Sequence, residues 1–150
     1  MERKPKKADA TEYLLCGMYK NAKMGCENIV RLLPKVTDRF LKEELCAGFE
    51  KYSKSASEIE RMMKERGIPR EDPGKLAKIG AAAGIVFSVA VDPTSSGIAR
   101  KYISDTKEGL RRLDRMCDEV MGDCDPRVVG YCTGMVEKER QSVAKMEAFL

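Results

Sequence analysis

Hydrophobic residues recur at alternating spacings of three and four along most of this 150-residue chain, which is the period of an amphipathic α-helix. The first such helix should begin near Asp9, where Asp9-Ala10-Thr11-Glu12 has a capping-box pattern, and Pro34 should end it. One side of this helix is therefore expected to pack against other helices. Its predicted inward positions are Leu15, Met18, Ala22, Gly25, Ile29 and Leu32.

A second helix is predicted from about Asp38 to Arg66, because Gly67 suits a left-handed residue after a helix end and Pro69 blocks continuation. The short connection after Pro34 makes the first two helices antiparallel neighbours. The predicted inward positions of the second helix are Leu41, Leu45, Gly48, Tyr52, Ser55, Ile59 and Met62.

Three Asp-Pro pairs predict three more helix starts, because each places an acidic N-cap before a proline at the first helical position. These pairs begin at Asp72, Asp92 and Asp125. The first of the three helices, 73–91, contains the uncharged run 79–91, whose 13 residues rise only about 20 Å against a hydrocarbon layer of roughly 30 Å. We therefore expect a helix buried against the bundle and no membrane span.

Two more long helices are predicted, from about Pro93 to Met121 and from Pro126 to the end of the chain. Their inward positions are Ala99, Tyr102, Thr106, Gly109, Leu113, Met116 and Val120 on the first, and Val129, Cys132, Val136, Glu139, Val143, Met146 and Leu150 on the second. The sequence thus predicts an all-α antiparallel bundle of four long helices, with one shorter apolar helix between the second and third. The bundle forms a single domain, 9–150, after a basic tail, 1–8.

Composition supports a helical protein, since charged residues make up 35% of the chain and aromatic residues 6%. The net charge of +4 is concentrated in the tail, and it does not predict a nucleic-acid partner. The N-terminus lacks a signal-peptide pattern, so we expect a cytoplasmic protein whose six cysteines are thiols.

Four segments are similar to an uncharacterised group of ferritin-like bundle proteins from anaerobic bacteria. The segments are KNAKMG at 20–25, RLLPKV at 31–36, PGKLAK at 73–78 and TSSGIA at 94–99. The resemblance implies a ferritin-like bundle in which a long connection joins the second and third long helices, and it implies self-association. Members of that group carry a histidine where Gly97 stands here.

An ordinary di-iron site is not expected, because ferritin-like centres use glutamates together with Glu-x-x-His motifs and this chain has no histidine. Among the predicted inward positions only Glu139 is acidic. Neither a Ser-His-Asp nor a Cys-His arrangement is possible, which favours a non-enzymatic protein without a resident cofactor.

Glu139 is the most informative residue, because a carboxylate at a core position is costly unless it is paired, hydrogen-bonded or protonated. One hypothesis is a cavity for a small ligand or cation, with Glu139 as the anion and Tyr52, Ser55 and Thr106 as hydrogen-bonding walls. The alternative is a buried structural network with Tyr52 and Thr106, or a side chain turned to the edge of the helix.

A second group of residues lies around the turn between the last two helices, where thiolates could hold a soft metal. Its cysteines are Cys117, Cys124 and Cys132. They contain no Cys-x-x-Cys pair, and packing in an apolar face explains Cys117 and Cys132 equally well.

Two functions follow from these patterns. The first is a non-enzymatic bundle that acts by association, as a homo-oligomer such as a dimer. The second is a small-molecule or cation-binding protein that uses the polar layer around Glu139.

Overall fold

The computed structural model describes residues 7–69 and 92–150, and nearly all of them are helical. Neither stretch contains a strand, and neither contains a helix that is both long and apolar enough to cross a bilayer. The predicted bundle of four long helices is therefore confirmed over these two stretches, whereas the shorter helix predicted at 73–91 lies outside them. The elements are α1 (Lys7–Leu32), a 3₁₀ turn (Leu33–Lys35), α2 (Arg39–Glu65), α3 (Ser95–Val120), α4 (Pro126–Met146) and a final 3₁₀ turn (Glu147–Phe149).

Two of the predicted helix starts and one predicted end are confirmed by their capping contacts. Asp38 caps α2, because its carboxylate accepts a 2.9 Å hydrogen bond from the backbone N–H of Leu41. Asp125 caps α4 in the same way, with Pro126 at the first helical position. Gly67 follows α2 with a φ of +65°, a left-handed conformation that glycine adopts without strain.

The other two described helices begin elsewhere than predicted. Helix α1 begins at Lys7, two residues before Asp9, because Lys7 and Ala8 themselves favour helix. Helix α3 begins at Ser95 with Thr94 as its cap, since the Thr94 hydroxyl accepts from Gly97 N–H at 3.0 Å. The Asp92 carboxylate instead accepts from Thr94 N–H in a local turn before the helix starts. Asp92 therefore does not cap α3.

The helices form a bundle in which α1 packs closely on α2 and on α3, and α3 packs on α4. Side-chain contacts show that each of these neighbouring pairs is antiparallel. Consequently α2 and α3 run parallel to each other, and Glu65 and Ser95 lie at opposite ends of the bundle. The contacts that fix these directions are Tyr19 with Glu60 and Cys26 with Ser53 between α1 and α2, Tyr13 with Glu119 and Gly17 with Met116 between α1 and α3, and Cys117 with Cys132 and Asp114 with Arg140 between α3 and α4.

The buried stripe of each helix repeats every 18 residues, which is five turns at roughly 3.6 residues per turn. A strict alternation of three and four residues drifts from this period. It therefore predicted four inward residues wrongly, because in each case the neighbouring residue is the buried one. The four are Ser55, Met62, Met116 and Val129. Leu150, also predicted to point inward, is 60% exposed because the final 3₁₀ turn leaves the helical period. The buried pairs that show the 18-residue period are Leu14 and Leu32, Leu41 and Ile59, Leu45 and Met63, Ala99 and Cys117, and Val128 and Met146.

Candidate functional site

Glu139 lies in the middle of the bundle and is only 6% exposed. The Tyr52 hydroxyl, from α2, donates to Glu139 Oε1 at 2.6 Å. The side-chain amide of Asn21, from α1, donates to both carboxylate oxygens, at 3.1 and 3.2 Å. Three helices therefore meet at one buried carboxylate that accepts hydrogen bonds on both oxygens.

Two further buried side chains extend this contact into a polar layer. The Tyr102 ring is 4% exposed, and its hydroxyl lies near the side chains of Tyr52, Thr106 and Ser142. Thr106 is likewise buried and lies near the hydroxyls of both tyrosines. The predicted grouping of Glu139 with Tyr52 and Thr106 is thus found, although Thr106 reaches the layer through the tyrosines.

The electrostatics of the layer follow from its burial. Loss of solvent raises the pKa of Glu139 above its ordinary 4.5, although the hydrogen bonds from Tyr52 and Asn21 act in the opposite direction. Burial first, and the adjacent Glu139 second, raise the pKa of Tyr52 well above 10.0. The phenol therefore keeps its proton and remains the donor to the carboxylate.

Two small cavities of about 20 Å³ each touch Glu139, one on either side of the bundle, and each has room for about one water molecule. The cavity between α2 and α4 is lined by Ser55 and Ser142, with Lys51 and Lys138 at its rim. Ser55 was predicted as a wall of the Glu139 site. It does line this cavity, but its side chain lies near Tyr131, and no hydrogen bond joins it to the carboxylate.

Two glycines allow the layer to assemble on the opposite side, where α1 faces α3. A Cβ at Gly25 would stand 2.6 Å from two atoms of the Tyr52 ring, so only glycine leaves the ring its present position. A Cβ at Gly109 would stand 2.5 Å from Oδ1 of Asn21. These two positions fix where Tyr52 and Asn21 can reach Glu139.

A surface groove of about 370 Å³ runs between α1 and α3, and we call it the α1–α3 groove. Its inner end is bounded by Asn21 and Gly109, which also line the 20 Å³ cavity against Glu139. Asn21 therefore separates the groove from the buried carboxylate while touching both. The remaining lining includes Gly17, Lys20, Met24, Arg112, Leu113 and Met116.

The cysteines do not form a metal centre in the part of the chain that the structure describes. Cys117 and Cys132 contact each other between α3 and α4, where burial raises the pKa of Cys132 to about 12. Cys124 instead lies beside Thr11 at one end of the bundle, where the Thr11 hydroxyl accepts from Asp125 N–H at 2.9 Å. Over residues 7–69 and 92–150 no three Cys, His, Asp or Glu side chains come close enough together to hold a metal ion.

Sequence reasoning missed Asn21 and the role of the Tyr102 hydroxyl. Tyr102 was predicted to face inward, but a helical pattern does not show what its hydroxyl contacts. Asn21 is next to the inward position Ala22, and glycines stand four residues before and after it, at 17 and 25. Glycines four residues before and after a polar residue lie on the same helix face as it, and this pattern could have indicated that another helix approaches closely at Asn21.

The raised pKa of Glu139 predicts a specific pH dependence of stability. A pKa that is higher in the folded than in the unfolded state contributes stability that is full below the unfolded value of about 4.5 and is lost as pH rises through the folded value. We expect the free energy of unfolding of the wild type to fall, relative to that of Glu139→Gln, as pH rises above 4.5. Urea unfolding across this range measures it.

Glu137→Gln is the matched control, because Glu137 is an exposed carboxylate on the same helix. Its pH profile should run parallel to that of the wild type. A Glu139→Gln profile that also ran parallel would show that Glu139 titrates alike in both states.

Compared with protein-family models, with curated proteins and with solved structures, the chain matches none of them. Its function must therefore be argued from the groove, the buried carboxylate and the arrangement of the helices.

Proposed function

We propose that the protein is a non-enzymatic, ferritin-like bundle that binds a small molecule in the α1–α3 groove. The observation that carries this proposal is that a groove of about 370 Å³ adjoins the cavity beside a buried, hydrogen-bonded carboxylate, because both are lined by Asn21 and Gly109. Ligand sites commonly occupy roughly 300–1,000 Å³ and combine apolar walls with a few placed polar groups. Met24, Leu113 and Met116 supply the walls, and Asn21 supplies a polar group at the inner end.

Binding, and not catalysis, is proposed because of the chemistry of the layer. The chain has no histidine to act as a base near neutral pH. Glu139 is held by hydrogen bonds from Tyr52 and Asn21, and the tyrosine hydroxyls lie beside Thr106 and Ser142. These hydrogen bonds fix the side chains in place, which suits a rigid wall for a ligand.

Two features support the ferritin-like part of the proposal. Parallel second and third long helices, with ends at opposite sides of the bundle, are the arrangement that a long crossover connection produces. Ferritin-like centres also use inward residues spaced three apart on two helices. Here Tyr52 and Ser55 on α2, and Glu139 and Ser142 on α4, have that spacing and line one cavity, with the two serines half-buried at its edge.

The side chains at these positions do not fit a di-iron centre. They offer one carboxylate together with phenols, hydroxyls and an amide, whereas iron in such bundles needs several carboxylates and imidazoles. The proposed function therefore involves no iron.

A substitution that fills the groove tests the proposal. Gly17 lies in the groove wall, and a Cβ there would meet the flexible end of Met116, which can move aside. We expect Gly17→Leu to fold and to weaken binding of the uncharged dye N-phenyl-1-naphthylamine by about tenfold, because the leucine and the displaced Met116 occupy the site. Dye fluorescence titration measures the change.

Gly134→Leu is the matched control, because Gly134 is an exposed position on α4 with open space around it. It should bind the dye as the wild type does. Equal binding by wild type and Gly17→Leu, or no binding by the wild type, would refute the groove as a ligand site.

Association remains a second candidate, favoured by three large apolar side chains at one end of the bundle. Val30, Phe40 and Leu150 are 53%, 69% and 60% exposed, near the end of α1, the start of α2 and the end of the chain. Burying such surface would stabilise a homodimer. Sedimentation velocity decides this candidate, and a single-chain mass over a wide concentration range would exclude it.

A further inference from the structure

Asn21 lies where the α1–α3 groove meets the cavity beside Glu139, because it lines both. Its side-chain nitrogen, Nδ2, donates to both carboxylate oxygens of Glu139, at 3.1 and 3.2 Å. An ionised carboxylate can only accept hydrogen bonds, whereas an amide has one donating and one accepting end. The carboxylate therefore fixes which end of the Asn21 amide faces it, and the amide oxygen, Oδ1, must face away.

The position of Oδ1 agrees with this orientation. A Cβ at Gly109 of α3 would stand 2.5 Å from Oδ1 and 3.6 Å from Cγ of Asn21. The amide C=O bond therefore points from α1 toward α3, at the inner end of the groove. Asn21 is only half-buried, and an amide oxygen has two lone pairs. Oδ1 can thus accept a hydrogen bond from a ligand in the groove.

Apolar side chains line the groove together with Asn21. Leu113 is 1% exposed, and Met24 and Met116 are partly buried beside it. Methionine side chains adapt to the shape of an apolar partner. A ligand that packs on these side chains also covers the amide oxygen, and covering an acceptor without giving it a donor costs free energy. The groove therefore favours an apolar molecule whose inner end carries a donor.

We propose that the α1–α3 groove selects an apolar molecule with a hydrogen-bond donor at one end, such as an aryl or alkyl alcohol. The apolar body packs on Leu113, Met24 and Met116, and the donor bonds Oδ1 of Asn21. Glu139 is a positioning residue for this site, because it holds the amide in the orientation that presents Oδ1. This inference rests on the proposed function and adds the chemical class of the ligand.

Two probes of nearly the same shape test the class. The compound 2-naphthol carries a hydroxyl where 2-methylnaphthalene carries a methyl group, and displacement of N-phenyl-1-naphthylamine measures the affinity of each. The ratio of the two affinities is compared between proteins, so that the different hydration of the two probes cancels. We expect Asn21→Leu to shift this ratio about fivefold against 2-naphthol, as the loss of one neutral hydrogen bond would give.

Asn28→Leu is the matched control, because Asn28 is a half-buried asparagine on the same helix that lines the cavity beside Glu139 but not the groove. It should leave the ratio as it is in the wild type.

Glu139→Gln is a second test, and it leaves Asn21 itself in place. A glutamine offers the Asn21 amide one acceptor and one donor, so the amide no longer has a single favoured orientation. If half of the molecules turn Nδ2 to the groove, the ratio shifts about twofold against 2-naphthol.

The outcomes separate this inference from the proposed function. An unchanged ratio in Asn21→Leu, or an equal shift in Asn28→Leu, would overturn the donor class while leaving a groove that binds small molecules. If Asn21→Leu does not fold, an unchanged ratio in Glu139→Gln overturns it instead. Failure of the dye to bind the wild type, or dye binding that Gly17→Leu leaves unchanged, would overturn the proposed function itself.

Discussion

Replacing Gly25 with alanine is expected to lower the free energy of unfolding by about 2 kcal/mol, the middle of the range for an overpacked core. The added methyl would stand 2.6 Å from Cε2 and Cζ of the Tyr52 ring. An aromatic ring cannot bend away as a methionine end can, so Tyr52 must shift from its 2.6 Å hydrogen bond to Glu139. This cost exceeds the roughly 0.5–1 kcal/mol that alanine gains over glycine inside a helix.

Urea unfolding with Gly134→Ala as the control isolates the effect. Gly134 is also inside a helix, but a Cβ there would meet nothing within 4 Å. The control should therefore show the helix gain alone and raise the free energy of unfolding by about 0.5–1 kcal/mol. If Gly25→Ala raised stability as the control does, the packing between α1 and Tyr52 would be looser than the structure indicates.

The sequence predicted a helix boundary correctly where only one nearby residue was suited to cap or end the helix. Gly67 at a left-handed φ, and Asp125 before Pro126, are such cases. Asp92 and Thr94 are the opposite case, because both can cap a helix and only their competition for the same N–H groups decides which one does. The first helix extended past Asp9 for a similar reason, since nothing in Lys7 or Ala8 opposes helix.

The polar layer around Glu139 was predictable only in part. Glu139 and Tyr52 could be placed in one layer because both fall on inward stripes near the middle of their helices. The stripe shows which way a side chain points, but not which polar atom of another helix it meets. Asn21 reaches Glu139 because Gly109 leaves room for its amide, a dependence between residues 88 positions apart in a chain of 150.

The α1–α3 groove could not be predicted from the sequence, for a related reason. Its volume arises from how α1 and α3 pack, and in particular from the missing side chain at Gly17, above which Met116 lies. Helical periodicity assigns residues to faces and carries no information about how closely two faces approach.

The strongest energetic coupling in the bundle is expected between Tyr52 and Glu139. Tyr52→Phe should cost about 2 kcal/mol, because hydrogen bonds to charged groups contribute roughly 1.5–3 kcal/mol. The 2.6 Å separation of the Tyr52 hydroxyl and Oε1 lies in the range typical of a charge-assisted bond. In a Glu139→Leu background the same change should cost below about 0.5 kcal/mol, since no buried acceptor is then left without its donor.

Urea unfolding of the two single variants and the double variant gives the coupling energy directly. Tyr131→Phe is the control, because Tyr131 is a half-buried tyrosine on α4 that interacts with Ser55 and Glu58 and not with Glu139. It should have the same effect in both backgrounds. Equal costs of Tyr52→Phe with and without Glu139 would mean that the hydroxyl contributes nothing to holding the carboxylate. In that case Asn21 alone would have to stabilise the buried charge, and the polar layer would not be the rigid wall that the proposed ligand site requires.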